Sequence, residues 1–146
     1  MPDLSFGDMT QSSELPNGLV ETLGSGTTAE AADRLTAAIE SNEKFRLIAR
    51  VDHSAGAESV GLELTPTVEI FFGNPAAGTP LMHLAPTVAI DLPQKILIIE
   101  TAEGVRVLHN HPDYLAARHA IDAATPQLAL IAGALQNLAN VAAGIS

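Results

Sequence analysis

The sequence predicts an α+β fold, a largely antiparallel sheet with helices packed on one face. Three observations carry that expectation. Apolar and polar residues alternate over 43–52 and 67–73; Glu103-Gly104 joins two further apolar runs as a hairpin; and helical spacing is confined to separate blocks such as 27–40 and 125–144. Strands and helices are mixed without the strict alternation of a parallel sheet.

Residues 1–18 are polar and turn-rich and read as a mobile or edge segment. LVETLGSG (19–26) reads as a first strand. TTAEAADRLTAAIE (27–40) is a helix: Thr27 and Glu30 fit a capping box, Ala32, Leu35 and Ile39 share a face, and Glu30 and Arg34 are spaced as an i,i+4 ion pair on the wet side. In EKFRLIARVD (43–52) the period becomes two, with Phe45, Leu47, Ala49 and Val51 on one side. HSAGAES (53–59) breaks that strand, and TVEIFFG (67–73) alternates again through Val68, Ile70 and Phe72. KILIIE (95–100) is continuously apolar, as in a central strand covered on both faces, and VRVLHN (105–110) is its hairpin partner.

HPDYLAARHAI (111–121) reads as a short helix with Pro112 in first position and Asp113 in its first turn. TPQLALIAGALQNLANVAAG (125–144) is a last helix, striped by Leu128, Ile131, Leu135 and Leu138, and no charged side chain follows Asp122. Gln136, Asn137 and Asn140 argue against a membrane span. An uncharged helix of this kind is expected to bury itself on the core or at a dimer interface. The chain thus divides into the segment 1–18, an α+β domain over 19–122 and the C-terminal helix in 123–146.

FFGNPAAGTPLM (71–82) reads as a corner. Asn74-Pro75 and Thr79-Pro80 each offer a capping side chain followed by proline, so a strand end, a short turn and a brief helix through Leu81, Met82 and Leu84 are expected. Such helix starts also attract anions. Neither this corner nor the GSG at 24–26 has the spacing of a phosphate-binding loop.

The composition excludes several functions. The 146 residues suit one domain, and seven basic residues against seventeen acidic ones give a net charge of −10. Nucleic acid is therefore not an expected partner. The absence of cysteine rules out disulfides, thiolate metal sites and a cysteine nucleophile. The first eighteen residues lack the basic and apolar regions of a signal peptide, which makes the cytoplasm the expected location.

VDHSAGA (51–57), FFGNPAAGTPLM (71–82), AIDLPQKILIIE (89–100) and DYLAARH (113–119) resemble the domain-of-unknown-function 302 family, in the right order over about residues 19–121. The resemblance implies a small fold similar to the β-α-β4-α arrangement of the TATA-box-binding protein, often dimeric. It implies no reaction, and the fold alone implies no DNA binding. The sequence departs from the family pattern at HNHP (109–112), where members usually carry Tyr-Asn-Asp-Pro, and the tail lies beyond the resembling region.

Candidate chemistry centres on the histidines. His109 and His111 would point the same way if the strand continued, and would be weak zinc candidates. Asp52-His53 with Ser54 or Ser59 has no nucleophile elbow, and adjacent strand residues face apart. Asp91 before Leu92-Pro93 reads as a turn cap. The ligand-binding candidates are His53, Asn74, Thr79, Lys95, Tyr114 and Arg118, with Lys95 and Arg118 supplying positive charge and His53, Asn74 and Thr79 sharing one end of the sheet. No catalytic residue and no cofactor is expected. The leading expectation is a homodimeric, non-enzymatic module binding a small acidic ligand or a protein partner, without membrane contact. A histidine-based metal protein or enzyme and a purely structural subunit are the alternatives.

Overall fold

The structure, a computed structural model, describes residues 15–145. In chain order it contains β1 (Leu19–Gly24), α1 (Thr28–Glu40), β2 (Arg46–Asp52), α2 (His53–Glu58), β3 (Thr67–Gly73), α3 (Pro75–Leu84), a 3-10 helix (Pro86–Asp91), β4 (Gln94–Thr101), β5 (Gly104–Asn110), α4 (Pro112–His119) and α5 (Pro126–Ala143). The fold is α+β, as expected. One antiparallel sheet runs in the order β1-β5-β4-β3-β2. Of the expected segment 1–18, residues 1–14 lie outside the described residues, and Gly18 receives the His111 amide at 2.7 Å.

The sheet register divides its two faces. Ile96 stands opposite Ile70 and His109, and Ile98 opposite Val68 and Val107. This face is covered by α1 and α5, and the core lies there among Leu35, Ile39, Ile70, Ile96, Ile98, Val107 and Leu135. The capping box of α1 forms as expected, with Thr27 Oγ1 accepting from the Glu30 amide and Glu30 Oε1 from the Thr27 amide. Arg34 takes a different role from the expected pairing with Glu30. It donates to the carbonyls of Val141, Ala142 and Ser25, tying α1 to the last turn of α5, where cations are favoured.

The tail stripe is settled by packing. Leu128, Ile131, Leu135 and Leu138 are all buried within this one chain, on α1 and on β5 and β1. The GSG segment also has a structural account, because a Cβ on Gly24 would overlap the backbone of Ala143 where α5 meets β1. At the hairpin, Gly104 has φ +149°, and a Cβ there would overlap the Gly24 carbonyl.

Three expectations need correction. Phe45, Leu47, Ala49 and Val51 do not share one face: a bulge between Leu47 and Ala49 leaves Leu47 opposite Phe72 on the core side and turns Ala49 and Val51 to the other face, opposite Phe71 and Glu69. β4 is the central strand, but only one of its faces is covered: Ile96 and Ile98 are fully buried, while Leu97 and Ile99 remain partly exposed on the other side. The corner after Phe72 contains a single longer helix. α3 starts at Pro75 and passes straight through Thr79-Pro80, which is not a second helix start. Proline forfeits one backbone hydrogen bond there, and burial of Ala77 and Leu81 on the core offsets that loss.

Candidate functional site

The antiparallel register decides which candidate residues can meet. Asp52 pairs with Val68 at the start of β3, whereas Arg46 pairs with Gly73 at its end. His53 therefore lies at the far end of β3 from Asn74, and its Nε2 is 3.1 Å from Glu69 Oε1. The five residues from Glu69 to Asn74 span roughly 16 Å of strand. The expectation that His53, Asn74 and Thr79 share one site is corrected on this geometry, since two breaks at one end would have required parallel strands. Asn74 occupies the N-cap position of α3 without a side-chain capping bond, and Thr79 sits exposed within that helix.

Asp52 is not paired with His53. Its carboxylate accepts from Ser54 Oγ at 2.6 Å and from the Ala55 amide at 2.9 Å, capping α2. The Ser54 hydroxyl, and after it the Ala55 amide, hold the Asp52 carboxyl below its ordinary 3.8. His109 and His111 also diverge, because the strand ends at Asn110. His111 turns to cap α4, its Nδ1 accepting from the Asp113 amide at 3.1 Å. His109 points into the core and is 4% exposed, and its Nε2 has no hydrogen-bond partner. Burial holds the His109 imidazole below its ordinary 6.5, and the neighbouring His111 adds to that. Among the described residues no group of three His, Cys, Asp or Glu is placed to hold a metal ion.

The other three candidates gather at Asp91. The 3-10 helix ends there, just before β4, and α4 begins just after β5, so both elements meet at one end of the hairpin. Arg118 Nη1 lies 3.1 Å from Asp91 Oδ1, and His119 Nε2 lies 2.6 Å from Oδ2. Lys95 Nζ donates to the Asp91 carbonyl at 3.1 Å, and Arg118 Nη1 reaches the Tyr114 hydroxyl at 3.4 Å. The remaining nitrogen of His119, Nδ1, is 2.9 Å from Thr87 Oγ1. The cluster is graded from inside to outside: the His119 side chain is 5% exposed, that of Asp91 14% and that of Arg118 50%. A partly buried carboxylate thus holds one arm of an otherwise open guanidinium, with the exposed Tyr114 ring beside it.

The sequence groups Lys95, Tyr114 and Arg118 with His53, whereas the structure brings these three together at Asp91, away from His53. Asp91 is their hub and not merely a turn cap, and Thr87 was missed. The local signals of the cluster are the four-residue spacings of Tyr114 with Arg118 and of Asp91 with Lys95; Thr87, and the joining of Asp91 to α4, depend on the tertiary contact between the 3-10 helix and α4.

Known proteins extend the picture. Segments of two curated proteins are 40% identical to this chain over 108 residues: the fluoride-specific ion channel FluC 1 of Brucella suis biovar 1 (strain 1330) and the FluC 1 of Brucella abortus biovar 1 (strain 9-941). The match takes in 73% of this chain but only 42% and 40% of those proteins. Among the described residues no helix is long and apolar enough to cross a membrane. The crystal structure of an uncharacterized conserved DUF302 protein from Bacillus stearothermophilus shares the fold, with a TM-score of 0.68 over 88% of this chain and 98% of that one at 18% identity. The family described as domain of unknown function DUF302 matches residues 21–139, so the match runs well into α5 and past the expected limit near residue 121. The chain belongs to the DUF302 family, whose biochemical function is unknown.

Proposed function

We propose that this chain is a homodimeric binding module that takes a small acidic ligand at the Asp91 end of its sheet. One observation carries the reading. Arg118, half exposed, is oriented through a single nitrogen, Nη1, by the partly buried Asp91 carboxylate and the Tyr114 hydroxyl, which leaves the rest of its fork without a protein partner among the described residues. A guanidinium fork held in place presents paired donors to a carboxylate at reduced entropic cost. Lys95 adds a second positive charge close by in a chain of net charge −10. Native mass spectrometry of protein purified without a His-tag tests this. A bound small acid that disappears in Arg118→Ala is expected; a ligand-free protein, or a ligand indifferent to Arg118, would contradict it.

The dimer has support in the uncovered sheet face. Phe71, Leu97 and Ile99 lie there partly exposed, flanked by exposed Leu23 and Val51. An antiparallel sheet can leave one face to water, but these apolar side chains form a patch of the kind that marks an interaction surface, and a second copy supplies the cover.

A second reading concerns a protein partner and rests on the 40% identity to segments of fluoride-specific ion channels. In this reading the module works beside a fluoride channel, on the same chain or a separate one. Co-purification with a co-expressed fluoride channel supports it, and separate elution in detergent counts against it.

A further inference from the structure

We infer that Thr87, His119 and Asp91 form a hydroxyl-activating triad that accepts short apolar acyl groups on Thr87 Oγ1. The inference goes beyond ligand binding and does not depend on it. The two hydrogen bonds run in series: Asp91 Oδ2 to His119 Nε2 at 2.6 Å, then His119 Nδ1 to Thr87 Oγ1 at 2.9 Å. A carboxylate only accepts, so the ring proton sits on Nε2. In the neutral ring Nδ1 then carries the lone pair, and the Thr87 hydroxyl donates to it. This is the nucleophile–base–orienter geometry of acyl transfer, with the two imidazole nitrogens in exchanged roles.

The burial gradient suits the chemistry. His119 is shielded from water, Asp91 is held on its other oxygen by Arg118, and Thr87 is exposed where a substrate can reach it. Ile90 stands three residues after Thr87 in the same 3-10 helix, where side chains at that spacing eclipse, and it is 74% exposed. An apolar side chain on the nucleophile's own face selects an apolar acyl chain over a charged one.

In the reaction, Thr87 Oγ1 attacks the carbonyl carbon of an activated ester or thioester. A carbon–oxygen bond forms as the hydroxyl proton passes to His119 Nδ1. Collapse breaks the bond to the alcohol or thiol, which leaves with that proton. Water then attacks the Thr87 ester and gives a proton to Nδ1; Thr87 takes it back as the carboxylic acid departs. Asp91 orients the ring throughout and is a positioning residue.

Two probes test this on the full chain: p-nitrophenyl butyrate, followed by nitrophenolate release, and an alkyl fluorophosphonate, followed by peptide mass spectrometry. The expected result is nitrophenolate release with the ester, as the Thr87 butyrate forms and is hydrolysed, and a stable adduct on Thr87 with the fluorophosphonate, which loses fluoride. Thr87→Ser should keep the reaction and Thr87→Val abolish it. His119→Gln should slow it by about 100-fold or more. Asp91→Asn should also shift the pH of half-maximal labelling, which a merely structural contact would not do. Thr87 is exposed and Thr87→Ser keeps the hydroxyl on His119 Nδ1, so that variant is expected to keep the wild-type thermal melt, and a native circular-dichroism spectrum of Thr87→Val shows that its loss of reaction is not a loss of fold. A fluorophosphonate adduct on another residue, no fluorophosphonate adduct together with no ester turnover, or wild-type turnover by Thr87→Val would overturn the inference. Loss of acid binding with Thr87 labelling intact would refute only the ligand proposal.

Discussion

Asp91 and His119, 28 positions apart in sequence, are joined by a 2.6 Å hydrogen bond between a carboxylate and an almost fully buried imidazole. That bond fastens the end of α4 to the 3-10 helix ahead of β4. Its removal leaves a buried ring nitrogen without an acceptor. Asp91→Ala is therefore expected to cost about 1–3 kcal/mol in urea unfolding, whereas Arg118→Ala, whose partner keeps His119, is expected to cost less than about 1 kcal/mol. Equal losses would mean that the surface ion pair, and not the buried bond, holds the two elements.

His109 makes stability depend on pH. Burial lowers its affinity for a proton in the folded chain below the ordinary 6.5. The unfolded chain then takes up the proton first, so stability is complete above about 6.5, falls as the pH drops toward the lowered folded value, and levels off below it. His109→Leu removes both the titration and the orphaned Nε2, and should raise stability at pH 5 by about 1–3 kcal/mol. Urea midpoints of the two proteins at pH 5 and 8 read this directly; a constant difference between them would rule out the titration.

Gly104 is the most demanding backbone position. Its φ of +149° and the overlap of an added Cβ with the Gly24 carbonyl leave no room for another residue. Gly104→Ala should destabilise the chain by more than about 2 kcal/mol and loosen the β1–β5 pairing as well as the hairpin. Amide exchange confined to the hairpin tip would contradict that coupling.

The uncovered face of β4 carries the dimer proposal. Ile99→Lys puts a charge in the middle of this apolar face and should yield a monomer by light scattering at micromolar concentration. A wild-type protein that is itself monomeric, or a variant that stays dimeric, would refute an interface on this face.

Most of the fold was legible because most elements announce themselves locally; α2, read only as a strand break, and the 3-10 helix did not. The Thr27–Glu30 capping box, the alternation through Val68, Ile70 and Phe72, and Pro112 and Pro126 at helix starts are all short-range signals. Thr79-Pro80 misled because a capping dipeptide looks the same inside a helix that the core holds in place. The tail stripe was legible as buried, but what it buries against depends on α1 and β5, which no local pattern specifies. The candidate site was half legible. Tyr114 and Arg118 share a helix face, whereas the position of His53 depends on strand direction, and the link from Thr87 through His119 to Asp91 is wholly tertiary.

The central claim is that small acids bind at the Asp91 end of the sheet. Two-dimensional amide NMR of the full chain during titration with succinate tests it most directly. The account predicts saturable shifts at Lys95, Tyr114 and Arg118, absent in Arg118→Ala and absent around His53 and Glu69. Unchanged spectra up to millimolar succinate, or shifts centred on His53, would contradict it.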